Sequence, residues 1–405
     1  MPRNNATSKP CRFNRNRLTQ SPEKPVKDVM KQPVYLDYNA SAPINAAARD
    51  AVVAALDVAG NPSSVHGAGR EARKIVDRAR RQVADMVAGD AERVIFTSGG
   101  TEANNLALNG LENVVVLTSA IEHPSVIEAR SDARRISVDA NGVIDLGALE
   151  DMLRVCRDAG EKVLVSVMLA NNETGVIQPV AQAALLAREY GAKIHCDAVQ
   201  AVGRVPVDMG RLLVDMVSVS AHKIGGPKGI GALIIAPGVM LVPQIRGGGQ
   251  EKYRRGGTEN VAGIAGFGAA AALVDAKLTN ADEITAKRDR LENEILAFAP
   301  EVVIASRDTA RLGNTSCLIL PGMPGETQVM TMDLAGVAIS SGSACSSGKV
   351  RESHVLKEMG VAEPGSAIRV SLGPETTNDE IDMFIRVWSR MRGNAERKKL
   401  ARNAA

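Results

Sequence analysis

Lys223 stands in the run Ser220-Ala-His-Lys-Ile-Gly-Gly-Pro-Lys-Gly, behind an apolar stretch (Met216, Val217, Val219) that reads as a buried strand. Glycines and a proline then force a turn, and a second apolar run, Gly231 to Ile235, leads back. The spacing puts Lys223 at a strand end with glycine backbone beside it, where a bulky group can approach closely. Desolvation between apolar strands disfavours an ammonium ion, and the free amine can form a Schiff base. Taken alone, a lysine in a turn is most simply solvated, because Lys is almost never buried unpaired. Its surroundings change that balance. Asp197 ends another apolar run, Ala192-Lys-Ile-His-Cys-Asp, and Gln200 follows it. A strand-end carboxylate with a strand-end lysine is the arrangement a pyridinium cofactor needs. The carboxylate keeps the ring nitrogen protonated, and the lysine holds the aldehyde carbon as an imine.

Other chemistry-bearing residues fall at similar places. Val94-Ile-Phe-Thr runs into Ser98-Gly-Gly-Thr-Glu, where Gly100 and Thr101 open a predicted helix. Such a turn can cradle an anion, although any strand-to-helix turn favours Ser, Gly and Thr. It is not a G-x-G-x-x-G, so no dinucleotide fold is indicated. His123 follows the strand Val114–Thr118 and precedes Pro124; it can stack on a ring, shuttle a proton or simply cap a helix. Asn171 and Asn172 end the run Val163–Leu169 and read either as donors to a ligand or as an ordinary turn. Thr258 sits behind two glycine-rich stretches at a helix start, to cap that helix or to touch a phosphate. Cys345 lies in Ser340-Ser-Gly-Ser-Ala-Cys-Ser-Ser-Gly, among residues that favour exposure, where a thiol invites oxidation and its presence needs a reason. Arg369 interrupts Ile368-Arg-Val-Ser-Leu, and a guanidinium there requires a carboxylate partner from the protein or from a substrate.

The elements that must position these residues alternate. Helices are expected over 46–58, 67–88, 145–158 and 180–190, and a long one from about 258 to 298, with strands alternating with helices from Val94 on. This implies a largely parallel sheet, whose site lies beyond the strand C-termini. Thr101, His123, Asn172, Asp197 and Lys223 all fall at such ends. From 301 the pattern changes to short strands and turns, and Thr377-Asn-Asp-Glu380 reads as a capping box. The chain has 405 residues and 45% hydrophobic content but only 2% aromatics, so its core is aliphatic. A net charge of +3 gives no argument for nucleic acid or membrane. Five cysteines without a C-x-x-C pair make neither a disulfide framework nor a zinc pattern and suggest a reducing compartment. Residues 1–32 are basic and polar, and read as a disordered arm, with an organellar transit peptide as the lesser alternative.

Assembled, these residues resemble the cysteine desulfurases of the NifS/IscS type, in the class V aminotransferase family of fold-type I pyridoxal-phosphate enzymes. The resemblance rests on YLDYNASAP, NPSSVHGAGR, TSGGTEANN, EHPSV, NNETGVIQP, HCDAVQAVG, SAHKIGGPKGIGAL, GGGQEKYRRGGTEN, SSGSACSSG and IRVSLG, in order across residues 34–373. Gly256 departs from relatives that carry Ser or Ala before Gly-Thr. The resemblance implies an α/β fold with a large cofactor domain over 46–285, built on a mainly parallel sheet flanked by helices. A smaller α+β domain over 286–395 would carry the Cys345 loop. Residues 33–45 would join the small domain, and 396–405 would be a basic tail.

It also implies roles. Lys223 would bind pyridoxal 5'-phosphate and move protons at the substrate Cα; Asp197 would pair with the ring nitrogen, Gln200 with the ring hydroxyl, and His123 would stack on the ring. Gly100, Thr101, Ser220 and His222 would hold the phosphate, and Thr258 that of the other subunit of a homodimer. Asn172 and Arg369 would orient L-cysteine. Cys345 would be the nucleophile that takes its sulfur as a persulfide, between hinges at Gly342 and Gly348, and would pass it to an iron–sulfur scaffold or another acceptor, nitrogenase metallocluster assembly included. No resident metal is expected; Cys345 is the candidate transient iron–sulfur ligand. A cytoplasmic enzyme is expected, with no nucleic acid or membrane partner. The rival readings are a selenocysteine lyase or another class V aminotransferase with Cys345 incidental, and a non-catalytic scaffold.

Overall fold

The computed structural model describes residues 33–342 and 352–403. A seven-stranded sheet runs in the order Val94–Thr97, Gly231–Ile235, Met216–Ser220, Lys193–Asp197, Lys162–Ser166, Val114–Ser119, Arg134–Ile136. The last five strands are parallel, and Gly231–Ile235 is antiparallel to both of its neighbours. Every residue of Val94–Thr97, Met216–Ser220 and Gly231–Ile235 is buried. That is why Val94–Thr97 and Gly231–Ile235 read as near-continuous apolar runs, while Met216–Ser220 alternates and buries Ser218 against His195 Nε2.

Scarcity of aromatics is met by close helix packing. Helices Ala46–Leu56 and Gly67–Asp85 both pack on Val261–Ala271. At Gly268 a Cβ would sit 2.6 Å from Ala79 Cα, so only glycine permits that approach. Caps fix the helix starts: Asn45 accepts from the Ala48 N–H, Asp145 from those of Gly147 and Ala148.

A second, four-stranded antiparallel sheet is ordered Ser340–Ser341, Ala367–Ser371, Thr315–Ile319, Val303–Ile304. Its own core holds Leu291, Ile295, Leu318, Ile368, Phe384 and Trp388. Val34 and Leu36 pack into that cluster from the far end of the chain, and Val34–Tyr35 pairs in parallel with Val337–Ala338. The capping box forms as read: the Glu380 N–H donates to Thr377 Oγ1 and the Thr377 N–H to Glu380 Oε2, opening Asn378–Asn403.

This is the α/β fold the sequence predicts, with two differences in detail. The long helix expected to about 298 is three, Val261–Ala271, Val274–Leu278 and Ala281–Phe298. At the second break the Thr279 hydroxyl donates to the Ala276 carbonyl, a local bond that competes with helix continuation. The edge strand Arg134–Ile136 and the helix Gly325–Leu334 had no clear period to announce them. Among the described residues no helix is long and apolar enough to cross a membrane.

Candidate active site

The C-terminal ends of the parallel strands, and the turns after them, open on one cavity of about 330 Å³. Of the residues singled out from the sequence, Gly100, Thr101, His123, Asn172, Asp197, Gln200, Ser220, His222, Lys223 and Arg369 all line it. Thr258 does not; it is exposed outside the cavity. Cys345 and Gly348 lie outside the described residues, whereas Gly342 lies inside them.

Lys223 follows the strand Met216–Ser220 within a short 3-10 turn. Its amine donates to the carbonyls of Asn39 and Ala40. Asn39 is fixed in turn. Its N–H donates to Ser371 Oγ at 3.0 Å, its amide to Thr315 Oγ1 at 2.9 Å, and its carbonyl accepts Gln200 Nε2 at 3.0 Å. The YLDYNASAP segment thus brings main-chain acceptors to the lysine.

Asp197 closes its strand, 6% exposed, accepting from the Val199 N–H at 2.9 Å and from Asn104 Nδ2 at 2.7 Å. His123 caps Pro124–Ile127; its Nδ1 accepts the Ser125 N–H and meets Ser125 Oγ at 2.8 Å. Burial holds the His123 ring below the ordinary imidazole range, with Asp197 opposing and Lys223 assisting. Burial, helped by Lys223, takes His222 down to about 4. Both rings are neutral at neutral pH. The capping and cofactor-facing roles left open for His123 by the sequence are compatible, since capping uses Nδ1 alone.

Arg369, 2% exposed, has its carboxylate partner: Nη2 donates to Asp37 Oδ1 at 2.9 Å, and Nη1 donates to the Asn172 carbonyl. Among the described residues its Nε has no partner, and Ser220 Oγ, Gln200 Oε1 and Asn104 Oδ1 are likewise buried and unpaired. Buried polar atoms are rarely left so, and four such residues around one cavity mark a place built for a polar ligand. The donor set fits pyridoxal phosphate. Asp197 offers a carboxylate for a ring nitrogen, Gln200 an acceptor for a ring hydroxyl, Lys223 an amine. Gly99 gives the helix Gly100–Asn109 no side-chain cap, so its first N–H groups remain to an anion near Ser220.

Thr258 follows a stretch whose backbone is unusual. Glu251, Lys252 and Tyr253 are consecutive non-glycine residues with φ of 45°, 56° and 62°. Each such residue is strained by about 1–3 kcal/mol. Buried Glu251 holds them in place, taking two hydrogen bonds from Arg80 at 2.7 and 2.8 Å and one from the Phe96 N–H.

Residues missed from the sequence are Asp37, Asn39, Asn104 and Ser125. All lie in the quoted segments, but Asp37, Asn39 and Asn104 bond residues far along the chain, which no spacing reveals, and Ser125 looks like an ordinary helix-start serine.

Comparison with known proteins shows the family. The Aminotransferase class-V family model matches residues 34–384. The chain is similar to a cysteine desulfurase of Sinorhizobium fredii, 41% identical over 374 residues, covering 88% of this chain and 95% of the relative. It is similar to the cysteine desulfurase IscS of Dictyoglomus turgidum, 38% identical, covering 89% and 95%. Among solved structures it resembles a NifS-like protein from Rickettsia africae, with a TM-score of 0.83 and 36% identity, covering 89% of this chain and all of that one. It also resembles SspA in complex with cysteine, with a TM-score of 0.72 and 30% identity, covering 85% and 99%.

Proposed function

The chain belongs to the class V aminotransferase family, whose members generally depend on pyridoxal phosphate, and from that premise we infer that it is a cysteine desulfurase. It converts L-cysteine to L-alanine and leaves the sulfur as a persulfide on Cys345. The balance is simple: the substrate C–S bond breaks, a sulfur–sulfur bond forms on the enzyme thiol, and hydrogen takes sulfur's place on the substrate. The carrying observation is the convergence of Lys223, Asp197, Gln200, Ser220 and Arg369 on one cavity with unpaired polar atoms aimed at a ligand.

When bound, pyridoxal phosphate supplies an electron sink for the pair released as the Cα proton leaves. The chain does the rest. Asp197 would hold the ring nitrogen's proton, Gln200 the ring hydroxyl, and His123 would stack on the ring. Gly100, Thr101, Ser220 and His222 would bind the phosphate. Lys223 would anchor the cofactor and carry the Cα proton. Asn172 and Arg369 orient the substrate, with Arg369 Nε donating to its α-carboxylate. Loss of one charge-assisted donor is worth about 1.5–3 kcal/mol. Arg369→Lys keeps a cation beside Asp37 but not the planar fork. We expect its KM for L-cysteine to rise about 10- to 100-fold with a smaller fall in kcat; an unchanged KM would remove Arg369 from substrate binding.

Exposed Thr258, outside its own cavity, supports a role in a homodimer, reaching the partner's phosphate. The sulfur acceptor is an iron–sulfur scaffold or another thiolation protein, nitrogenase metallocluster assembly included. Cys156, Cys196 and Cys317 are free, which supports a cytoplasmic enzyme. Product analysis tests the activity. Purified protein given L-cysteine and a thiol reductant should make alanine and sulfide in equal amounts and no keto acid. Keto acid would instead indicate an aminotransferase, and turnover of selenocysteine alone a lyase.

A further inference from the structure

A hydrogen-bond chain leads from Asp197 to His123, and a backbone N–H fixes the direction of its last step. Asn104, 1% exposed on the helix Gly100–Asn109, places Nδ2 at 2.7 Å from Asp197 Oδ2 and 2.8 Å from Ser125 Oγ. That nitrogen has two hydrogens and no acceptor capacity, so it donates to both. Reversing the amide would set Oδ1 against a carboxylate oxygen. Ser125 Oγ, already accepting from Asn104, has one hydrogen of its own, and His123 Nδ1 is 2.8 Å away. The Ser125 N–H donates to the same Nδ1 at 3.1 Å. A ring nitrogen that accepts this backbone N–H carries no proton, so the serine hydroxyl also donates to it. The neutral imidazole therefore bears its hydrogen on Nε2.

We propose that Ser125 and Asn104 are positioning residues that lock His123 in the Nε2–H tautomer and tie that choice to the carboxylate of Asp197. Protonating Nδ1 would strand the Ser125 N–H and force the serine hydroxyl to turn away. His123 is thus kept neutral, with Nε2–H as the proton it presents. The assignment of Asp197 to a cofactor ring nitrogen rests on the proposed function above; the tautomer itself does not.

Ser125→Ala removes the hydroxyl and leaves the backbone donor. The charged and titratable groups that act on His123 stay in place: Asp197 from its strand, Lys223, His354 and Arg369, with Glu122 next in sequence. The experiment uses holoenzyme labelled with 15N-histidine, with His123→Gln to assign the resonances. In the parent, His123 Nδ1 should give the shift of an unprotonated nitrogen across neutral pH. In Ser125→Ala it should move toward the averaged value of two tautomers, and the ring's titration midpoint should rise by about half a unit to one unit. The acid limb of kcat/KM should move with it. Ser125→Thr, which keeps a hydroxyl, should restore the parental spectrum. An Nδ1 that is protonated in the parent, or a Ser125→Ala spectrum and titration identical to the parent's, overturns the proposal. Failure of the parent to form alanine would instead overturn the assigned activity and leave the tautomer result standing.

Discussion

Cys345→Ala is expected to stop multiple-turnover release of alanine, by a factor of order 10³ or more, while L-cysteine and cofactor still bind. The environments of the described thiols explain why none of them would substitute. Burial pushes Cys317 up to about 12, raises Cys196 well above the ordinary thiol range, and raises Cys156 as well. The thiolate is the nucleophile, so none of these three can serve at neutral pH. Cys345 lies outside the described residues, but residues on either side of that segment are placed. The strand Ser340–Ser341 precedes it in the chain and pairs with Ala367–Ser371, with Ser340 opposite Arg369. Beyond the segment, Ser353 donates to the buried carboxylate of Glu173, next to Asn172. Both flanks of the cysteine segment therefore stand beside residues that line the cavity or adjoin them. The measurement is alanine released per active site with L-cysteine in excess, alongside the spectral change on binding. Normal turnover in Cys345→Ala would end the persulfide mechanism and leave the aminotransferase reading.

The sequence revealed the parts of the site that follow directly from a strand. Asp197, Lys223, His123 and Asn172 each come after a run of buried aliphatic residues, and parallel strands deliver whatever follows them to one edge. Two physical effects hid the rest. Asn39 and Asn104 act through bonds whose partners lie elsewhere in the chain, and composition says nothing about those. Arg369 needed a carboxylate, but only the fold could say that Asp37 supplies it, leaving Nε for a ligand. Local competition explains the misjudged helix at 258–298: its apolar positions continue, yet Thr279 bonds its own preceding turn. The left-handed run at Glu251 to Tyr253 was equally hidden, since the bonds that hold it, from Arg80 and the Phe96 N–H to Glu251, come from distant parts of the chain.

Lys223→Ala is expected to remove the visible imine absorbance of the purified protein and to lower alanine formation by at least about 10²- to 10⁴-fold, the share of positioned proton transfer alone. The structure says why a neighbouring base would not replace it. His222 and His123 are both neutral, with pKa values held down by burial, and His123 Nδ1 is already occupied by Ser125. Lys223 is also placed with unusual definition for a lysine. Its amine is held by the Asn39 and Ala40 carbonyls, and Asn39 is bonded to Ser371, Thr315 and Asn314 across the second sheet. A long flexible side chain is thereby fixed at the meeting point of the first sheet and the chain's N-terminal segment. Losing it should leave the cavity's other contacts intact, so pyridoxal phosphate should still bind, without a covalent link. Equilibrium dialysis and the absorbance spectrum separate these outcomes, and an added small primary amine should restore part of the rate. An imine band that survives the substitution would mean that another lysine anchors the cofactor, and the cavity would then need a different reading.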